Sequence, residues 1–266
     1  MSEIIVVGDS ITDIYSHVSE KTNPENDSPA YLIKKRKETR GGASNVVKCL
    51  EGLGNEVIDL TMGLTTKERI FLDDKYICRL DDDKILSMSS IFYAETLKLI
   101  KNSSAEYVVV SDYNKGYLTK NFCYELEQLG KKLILDIKPN HLKWFKTPFL
   151  IKPNLKELRE MTKINNYKIA GMKLAKKKKC YVLVTLGSKG MCLFSKTGML
   201  TYFSPEKTKC IDVTGAGDTV ISVLTHFLTN NKDIIWATKA ANIAGAISVS
   251  KNGCYCPPIK EINKGE

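Results

Sequence analysis

The stretch Cys-Ile-Asp-Val-Thr-Gly-Ala-Gly-Asp-Thr, residues 210–219, places a carboxylate beside a glycine-rich turn, a pairing that could act on a charged substrate. Beyond it Val220, Val223, Leu224, Phe227 and Leu228 recur at helical spacing, so Gly215, Ala216 and Gly217 predict a turn that opens a helix. The first amides of a helix have no internal partner and carry the positive end of its dipole. With little side-chain bulk over them, they predict a cradle for an anion. Asp218 inside such a cradle has two readings: it complements the dipole, or it orients a hydroxyl and takes its proton while the amides stabilise charge on a transferring phosphoryl group.

Chemistry of that kind needs a scaffold that delivers further polar groups to the same place. The continuous apolar run Ile4–Val7 predicts a short strand buried on both faces, ending at Gly8 with Asp9 and Asp13 following in a loop. Strands are predicted again over 55–64, 107–111, 132–136, 149–151 and 181–185, with helices near 46–53, 89–102, 119–130, 154–162 and 166–179. Alternating strands and helices predict an α/β fold with a doubly wound, mostly parallel sheet. Asp112 and Lys115, Asp136 and Lys138, Lys152 and Asn154, and Thr185 and Gly187 each follow the carboxyl end of a strand, the rim where ligands of such sheets bind. Gly41 and Gly42 precede the helix that carries Asn45, either as a ligand-approach point or as a flexible junction. Asn154 and Glu157 fit a capping box or oxygen ligation of a hard cation, and both can hold at once. Asp112 and Asp136 fit buried ion pairs as well as ligand contacts. Asn242 lies in an Ala- and Gly-rich helix over 237–249.

With 266 residues, 43% hydrophobic and 26% charged, the chain suits one large globular unit. No apolar run is long enough to span a membrane, and the N-terminus is too short and acidic for a signal peptide, so a cytosolic location is expected. The eight cysteines are scattered, which predicts reduced core residues, and Cys254-x-Cys256 has no second pair to complete a metal site. The net charge of +10 suits anionic metabolites; the basic runs at 34–37 and 176–179 lack the interleaved aromatics that stack bases, so no nucleic-acid partner is expected.

Asp-Val-Thr-Gly-Ala-Gly-Asp-Thr resembles the signature of the ribokinase or PfkB family of sugar kinases. Within it, Ser111-Asp112-Tyr-x-Lys115-Gly116 and Asp136-x-Lys138 are most similar to the heptose 7-phosphate kinases. The resemblance implies a ribokinase-like kinase with Asp218 as catalytic base and Gly215, Ala216 and Gly217 as anion hole. It implies ATP contacts from Lys152, Asn154, Glu157, Thr185, Gly187 and Asn242, and Mg²⁺ organised through water by Asn154 and Glu157. The sugar phosphate would meet Asp9, Asp13, Gly41, Gly42, Asn45, Asp112, Lys115 and Lys138. A monovalent cation such as K⁺ would sit by Asp212, Thr214 and Gly253. A small β lid, from about 14–40 and 65–85, would close over the sugar with Lys67 and Arg79 facing its charge, and would form a homodimer contact. The chain departs from the family after Leu64, where several dozen residues are missing and the lid segment abuts the preceding strand. The implied activity is phosphorylation of a heptose 7-phosphate at its anomeric oxygen. Other family substrates (a ketohexose phosphate, a pentose or a nucleoside) and an inactive sugar- or nucleotide-binding relative are the alternatives. No His-x-x-His or His-x-Gly-His segment is present, so no adenylyltransferase half is expected.

Overall fold

The first strand is longer than its apolar run. In the computed structural model, which describes residues 3–263, β1 (Glu3–Lys21) continues through Asp9 and Asp13 to Lys21. The chain then forms β2 (Ala30–Gly42), α1 (Ala43–Gly52), β3 (Glu56–Leu72), β4 (Lys75–Asp82), α2 (Ser90–Asn102), β5 (Tyr107–Ser111), α3 (Lys120–Gln128), β6 (Lys132–Asp136) and, past a 3₁₀ turn at Pro139–Trp144, β7 (Leu150–Ile151). It continues with α4 (Leu155–Thr162), α5 (Tyr167–Lys178), β8 (Tyr181–Thr185), β9 (Met191–Phe194), β10 (Leu200–Phe203), α6 (Ala216–Thr229), α7 (Ile234–Val249) and α8 (Ile259–Ile262).

All ten strands join one sheet in the order β10-β9-β8-β7-β6-β5-β1-β3-β4, with β2 also on β1. From β8 to β3 neighbouring strands are parallel, so their carboxyl ends lie along one rim; β2, β4, β9 and β10 pair antiparallel. Successive residues of the apolar strands serve opposite layers. Ile4, Val6 and Val109 pack with α1, α6 and α7, whereas Ile5, Val7 and Val110 pack with α2, α3 and α5. Burial on both faces is why these strands read as unbroken apolar runs. Among the described residues, no helix is long and apolar enough to cross a membrane.

The stretch expected as a loop around Asp9 and Asp13 is therefore strand, and the two acids are buried. The polar segment 16–40 conceals β2, whose residues are mostly exposed and so lack an apolar signal. Beyond the rim, β2, β1, β3 and β4 form a four-stranded extension of the main sheet, built from the segments expected as a lid. The junction is a register shift between Asp9 and Ile11, opposite Gly63. No break separates the strand predicted over 55–64 from the lid segment: β3 runs through both. Residues 56–62 of β3 pair on one side only, with β1, among the described residues. Met62 and Leu64 are exposed there.

Gly8 is the tightest point of the strand crossing. Its φ is 141°, and a Cβ would fall on the Ser111 carbonyl oxygen of β5. Gly8→Ala is expected to lower stability by about 1–3 kcal/mol or more, through overpacking and backbone strain, read as a drop in the urea midpoint at unchanged slope.

Candidate active site

Twelve of the site residues expected from the sequence line one cavity. Adjacent parallel strands β5, β6, β7 and β8 end side by side, and their trailing residues face the N-terminus of α6 across a cavity of about 950 Å³ lined by Asp136, Lys152, Asn154, Thr185, Asp218 and Asn242, among others. This is the crevice outside the strand ends where open α/β sheets place ligands.

Asp218 stands at its inner end, 5% exposed. Asn45 Nδ2, on α1, donates to Asp218 Oδ2 at 2.8 Å, and the Tyr113 hydroxyl, in the loop after β5, donates to Oδ1 at 2.8 Å. Burial pushes the Asp218 carboxyl up to about 6; the Asn45 amide and Tyr113 phenol pull it down, and the Asp136 charge pushes it up. A carboxylate with a pKa near 6 is ionised at neutral pH, yet a better proton acceptor than the ordinary helix-start Asp expected from the sequence.

The cradle forms as predicted in outline and differs in detail. Gly215 adopts φ 74° because a side chain there would press on Cys254 Sγ and Asn45. The Ala216 amide bonds the Val213 carbonyl at 3.3 Å, and that of Thr219 bonds Gly215 O at 2.9 Å. Among the described residues this leaves the amides of Gly217 and Asp218 without a hydrogen-bond partner. Beneath them lies Lys152, whose ammonium is 2.8 Å from Asp136 and 3.3 Å from where a Gly217 Cβ would be. Burial opposes that charge, and Asp136 outweighs it, so Lys152 titrates above its usual range. Asp136 thus takes the ion-pair reading.

Asn154 and Glu157 form the capping box: Asn154 Oδ1 accepts from the Glu157 amide at 2.9 Å, and Glu157 Oε2 accepts from the Asn154 amide at 3.0 Å. Glu157 Oε1 also receives Lys138 Nζ at 3.3 Å. With these oxygens engaged, direct ligation of a metal does not fit. Contact through a water shell does, since carboxylate lone pairs remain and Mg²⁺ keeps much of its water. Among the described residues no group of three or more His, Cys, Asp or Glu could cage a metal.

Three further acids expected at the rim are engaged by the protein itself, Asp112 while still lining the cavity. Asp9 has no exposed surface, and its oxygens accept the amides of Tyr113, Lys115 and Tyr117 at 2.8, 3.1 and 3.0 Å, so it anchors the loop after β5 instead of facing a ligand. Asp112 is likewise buried against the amides of Asn114 and Lys138 and His141 Nδ1, the last at 2.7 Å. Asp13 pairs with Arg69 at 2.6 Å. Gly41 is glycine because a side chain there would collide with Asp13, and Gly42, at φ 58°, because one would collide with the Asp9 carbonyl. Cys254 lies near both Asp13 and Asp218: burial first, then those two charges, pushes its thiol up to about 12.

On the four-stranded extension, Lys67 is opposite Asp13 in register and half-buried. Arg69 takes Asp13, Arg79 takes Asp81 and Lys115 takes Asp83, leaving Lys67 without an ion-pair partner among the described residues. Burial, then the Arg79 charge, lowers its pKa. Elsewhere Asp212 accepts from Thr214 and, at 2.9 Å, from the Gly253 amide, drawing the two predicted cation loops together. Asn242 Nδ2 donates to the Ser204 carbonyl at 2.7 Å, and Gly187 turns at φ 60° beside Thr185. Tyr113 and Arg69 were not singled out from the sequence. The spacing that carries Asp112 and Lys115 brackets Tyr113, but nothing local signals that its hydroxyl crosses to α6.

Residues 93–261 match the family described as pfkB family carbohydrate kinase. Among curated proteins, the chain is 32% identical to the bifunctional protein HldE of Campylobacter curvus over 98% of its length, and 28% identical to that of Sulfurimonas denitrificans over 99%. It spans 64% of the length of each. Among solved structures, ribokinase of Arabidopsis thaliana complexed with ribose and ATP superposes with a TM-score of 0.75 at 19% identity, covering 99% of this chain and 98% of that one. Phosphofructokinase-2 of Escherichia coli in complex with potassium gives 0.76 at 15%, again covering 99% and 98%.

A carboxyl whose folded pKa is raised weakens the fold once it must ionise, so the cost is present above pH 6 and vanishes as pH falls from about 6 toward its unfolded value. Asp218→Asn is therefore expected to stabilise the protein by about 1–3 kcal/mol at pH 8. That gain should shrink toward zero by pH 4, as read by urea denaturation at the two pH values.

Proposed function

The chain belongs to the pfkB family of carbohydrate kinases, and from that premise we propose that it transfers the γ-phosphoryl group of ATP to the anomeric hydroxyl of a heptose 7-phosphate, giving the 1,7-bisphosphate. The observation that carries the reading is Asp218, buried at the edge of the large cavity beside unpaired helix-start amides and held by Asn45 and Tyr113. The acceptor hydroxyl would lie against Asp218, which orients it and takes its proton late in a loose transition state. The amides of Gly217 and Asp218, with Lys152 below, stabilise charge on the moving phosphoryl group.

ATP would occupy the large cavity, with Thr185, Gly187 and Asn242 along the nucleotide. Asn154 and Glu157 would hold Mg²⁺ through its waters; the ion supplies charge neutralisation at the β- and γ-phosphates. A monovalent cation, K⁺ by preference, would sit where Asp212 joins the Thr214 and Gly253 loops. Asn45, Asp13, Gly41 and Gly42 line the sugar side, with Asp9 and Asp112 acting through the loops they hold. The whole chain is read as a single kinase unit with its lid, and the exposed Tyr31, Leu32, Ile33, Tyr76 and Leu80 of β2 and β4 suit a homodimer contact.

Two features favour a phosphorylated sugar over a neutral one. Lys67 is a half-buried cation without a counter-ion among the described residues, which invites an anionic group. The Asp112-Tyr113-x-Lys115 and Asp136-x-Lys138 segments, together with relatives bearing the name HldE, favour heptose 7-phosphate among such sugars.

A coupled phosphorylation assay over heptose 7-phosphate, fructose 6-phosphate, ribose and adenosine tests the substrate. Turnover is expected with heptose 7-phosphate and to fall by roughly 10²-fold or more in Asp218→Asn; parental rates in that variant would remove the base assignment. Lys67→Ala is expected to raise KM for the phosphorylated acceptor on the order of tenfold, leaving KM for ATP in place. Preferred turnover of ribose or adenosine, insensitive to Lys67, would overturn the sugar-phosphate reading.

A further inference from the structure

Asp218 is held from two sides. Asn45 Nδ2 reaches Oδ2 from α1, and the Tyr113 hydroxyl reaches Oδ1, also at 2.8 Å, from the loop after β5. We infer that Tyr113 is a positioning residue for phosphoryl transfer: its hydroxyl fixes the plane of the Asp218 carboxylate and holds it in the ionised form needed to receive the acceptor's proton. The inference rests on Asp218 being the base.

Tyr113 is itself fixed. Its amide donates to the buried Asp9 at 2.8 Å, and Lys138 Nζ lies 5.6 Å from its ring centroid. Asp112 next to it ties down Asn114, Lys138 and His141. The phenol therefore meets Asp218 without having to order a mobile side chain, and it keeps its own proton: burial and the Asp218 charge raise it well above its usual range. It donates a hydrogen bond and does not titrate. The charged and titratable groups facing Asp218 from the surrounding elements are Asp136 at the end of β6, Lys152 after β7, Cys49 on α1 and Cys254 in the loop after α7. Of these Asp136 and Lys152 are paired with each other, and both thiols are held protonated by burial. Tyr113 and Asn45 thus remain as the uncharged donors that lower the Asp218 pKa.

Loss of a donor to a carboxylate favours its protonated form, so Tyr113→Phe moves the acid limb of kcat/KM upward from about 6. The expected displacement is roughly half to one and a half pH units, with kcat down about tenfold at pH 6, recovery to within a few-fold by pH 8.5, and KM for ATP unchanged. A second readout needs no turnover: the carboxylic C=O band that Asp218→Asn removes from the infrared spectrum of the ligand-free protein should titrate at higher pH in Tyr113→Phe. Superimposable pH profiles in parent and Tyr113→Phe, or an unshifted infrared titration, would overturn the inference. Asp218→Asn separates the two readings: if it retains parental activity, the base assignment falls, whatever Tyr113 does.

Discussion

The structure turns on the desolvation of one carboxylate. Asp218 sits where a helix dipole, two free amides and the Lys152–Asp136 pair converge, and burial there works against its charge. A buried carboxylate persists only if its lone pairs are answered, and here α1 and the loop after β5 answer one oxygen each. Much of the surrounding design follows from that requirement. Gly215 is bare so that Asn45 and Cys254 can close in, and Asp9 lies buried under the loop so that Tyr113 arrives at the correct height. A fold that hides a carboxylate in this way gives up stability near neutrality.

Much of this was legible in the residues. The apolar runs marked strands β5, β6 and β8 to the residue, because strands buried on both faces carry an uninterrupted signal. The glycine turn before α6 and the polar residues after each strand located the cavity. What stayed hidden has physical causes. β4 is marked by the alternation over Tyr76–Leu80, but β2 is mostly exposed and charged beyond the weak alternation around Tyr31–Ile33, and β1 looked short because its second half alternates buried with half-buried residues of mixed polarity. The roles of Asp9 and Asp112 were hidden for another reason. A carboxylate after a strand can face a ligand or its own backbone, and only the path of the following loop decides which. Tyr113 was invisible for the same reason in reverse, since its partner lies 105 positions away.

The outer layers divide the labour. Helices α2 to α5 pack on one face and contribute mainly bulk, whereas α1, α6 and α7 on the other supply Asn45, Asp218 and Asn242. The rim between them is fed by five neighbouring parallel strands, so displacing any one strand would disturb the spacing of its neighbours' polar ends. Lys138 illustrates the sharing: it touches Glu157 at the start of α4 and the Tyr113 ring beside Asp218, joining the two ends of the cavity through one side chain.

The single-sided half of β3 carries a consequence of a different kind. Residues 56–62 offer a ladder of amides and carbonyls with no neighbouring strand among the described residues, next to exposed Met62 and Leu64. Such a border invites an intruding chain, and the sequence defends it sparingly: Glu56 and Asp59 supply charge, and Asp59 folds back to accept from Thr61. The unpaired border lies on the flank of the sheet away from β10 and apart from the cavity, so it bears on how the chain assembles and not on the chemistry at the rim.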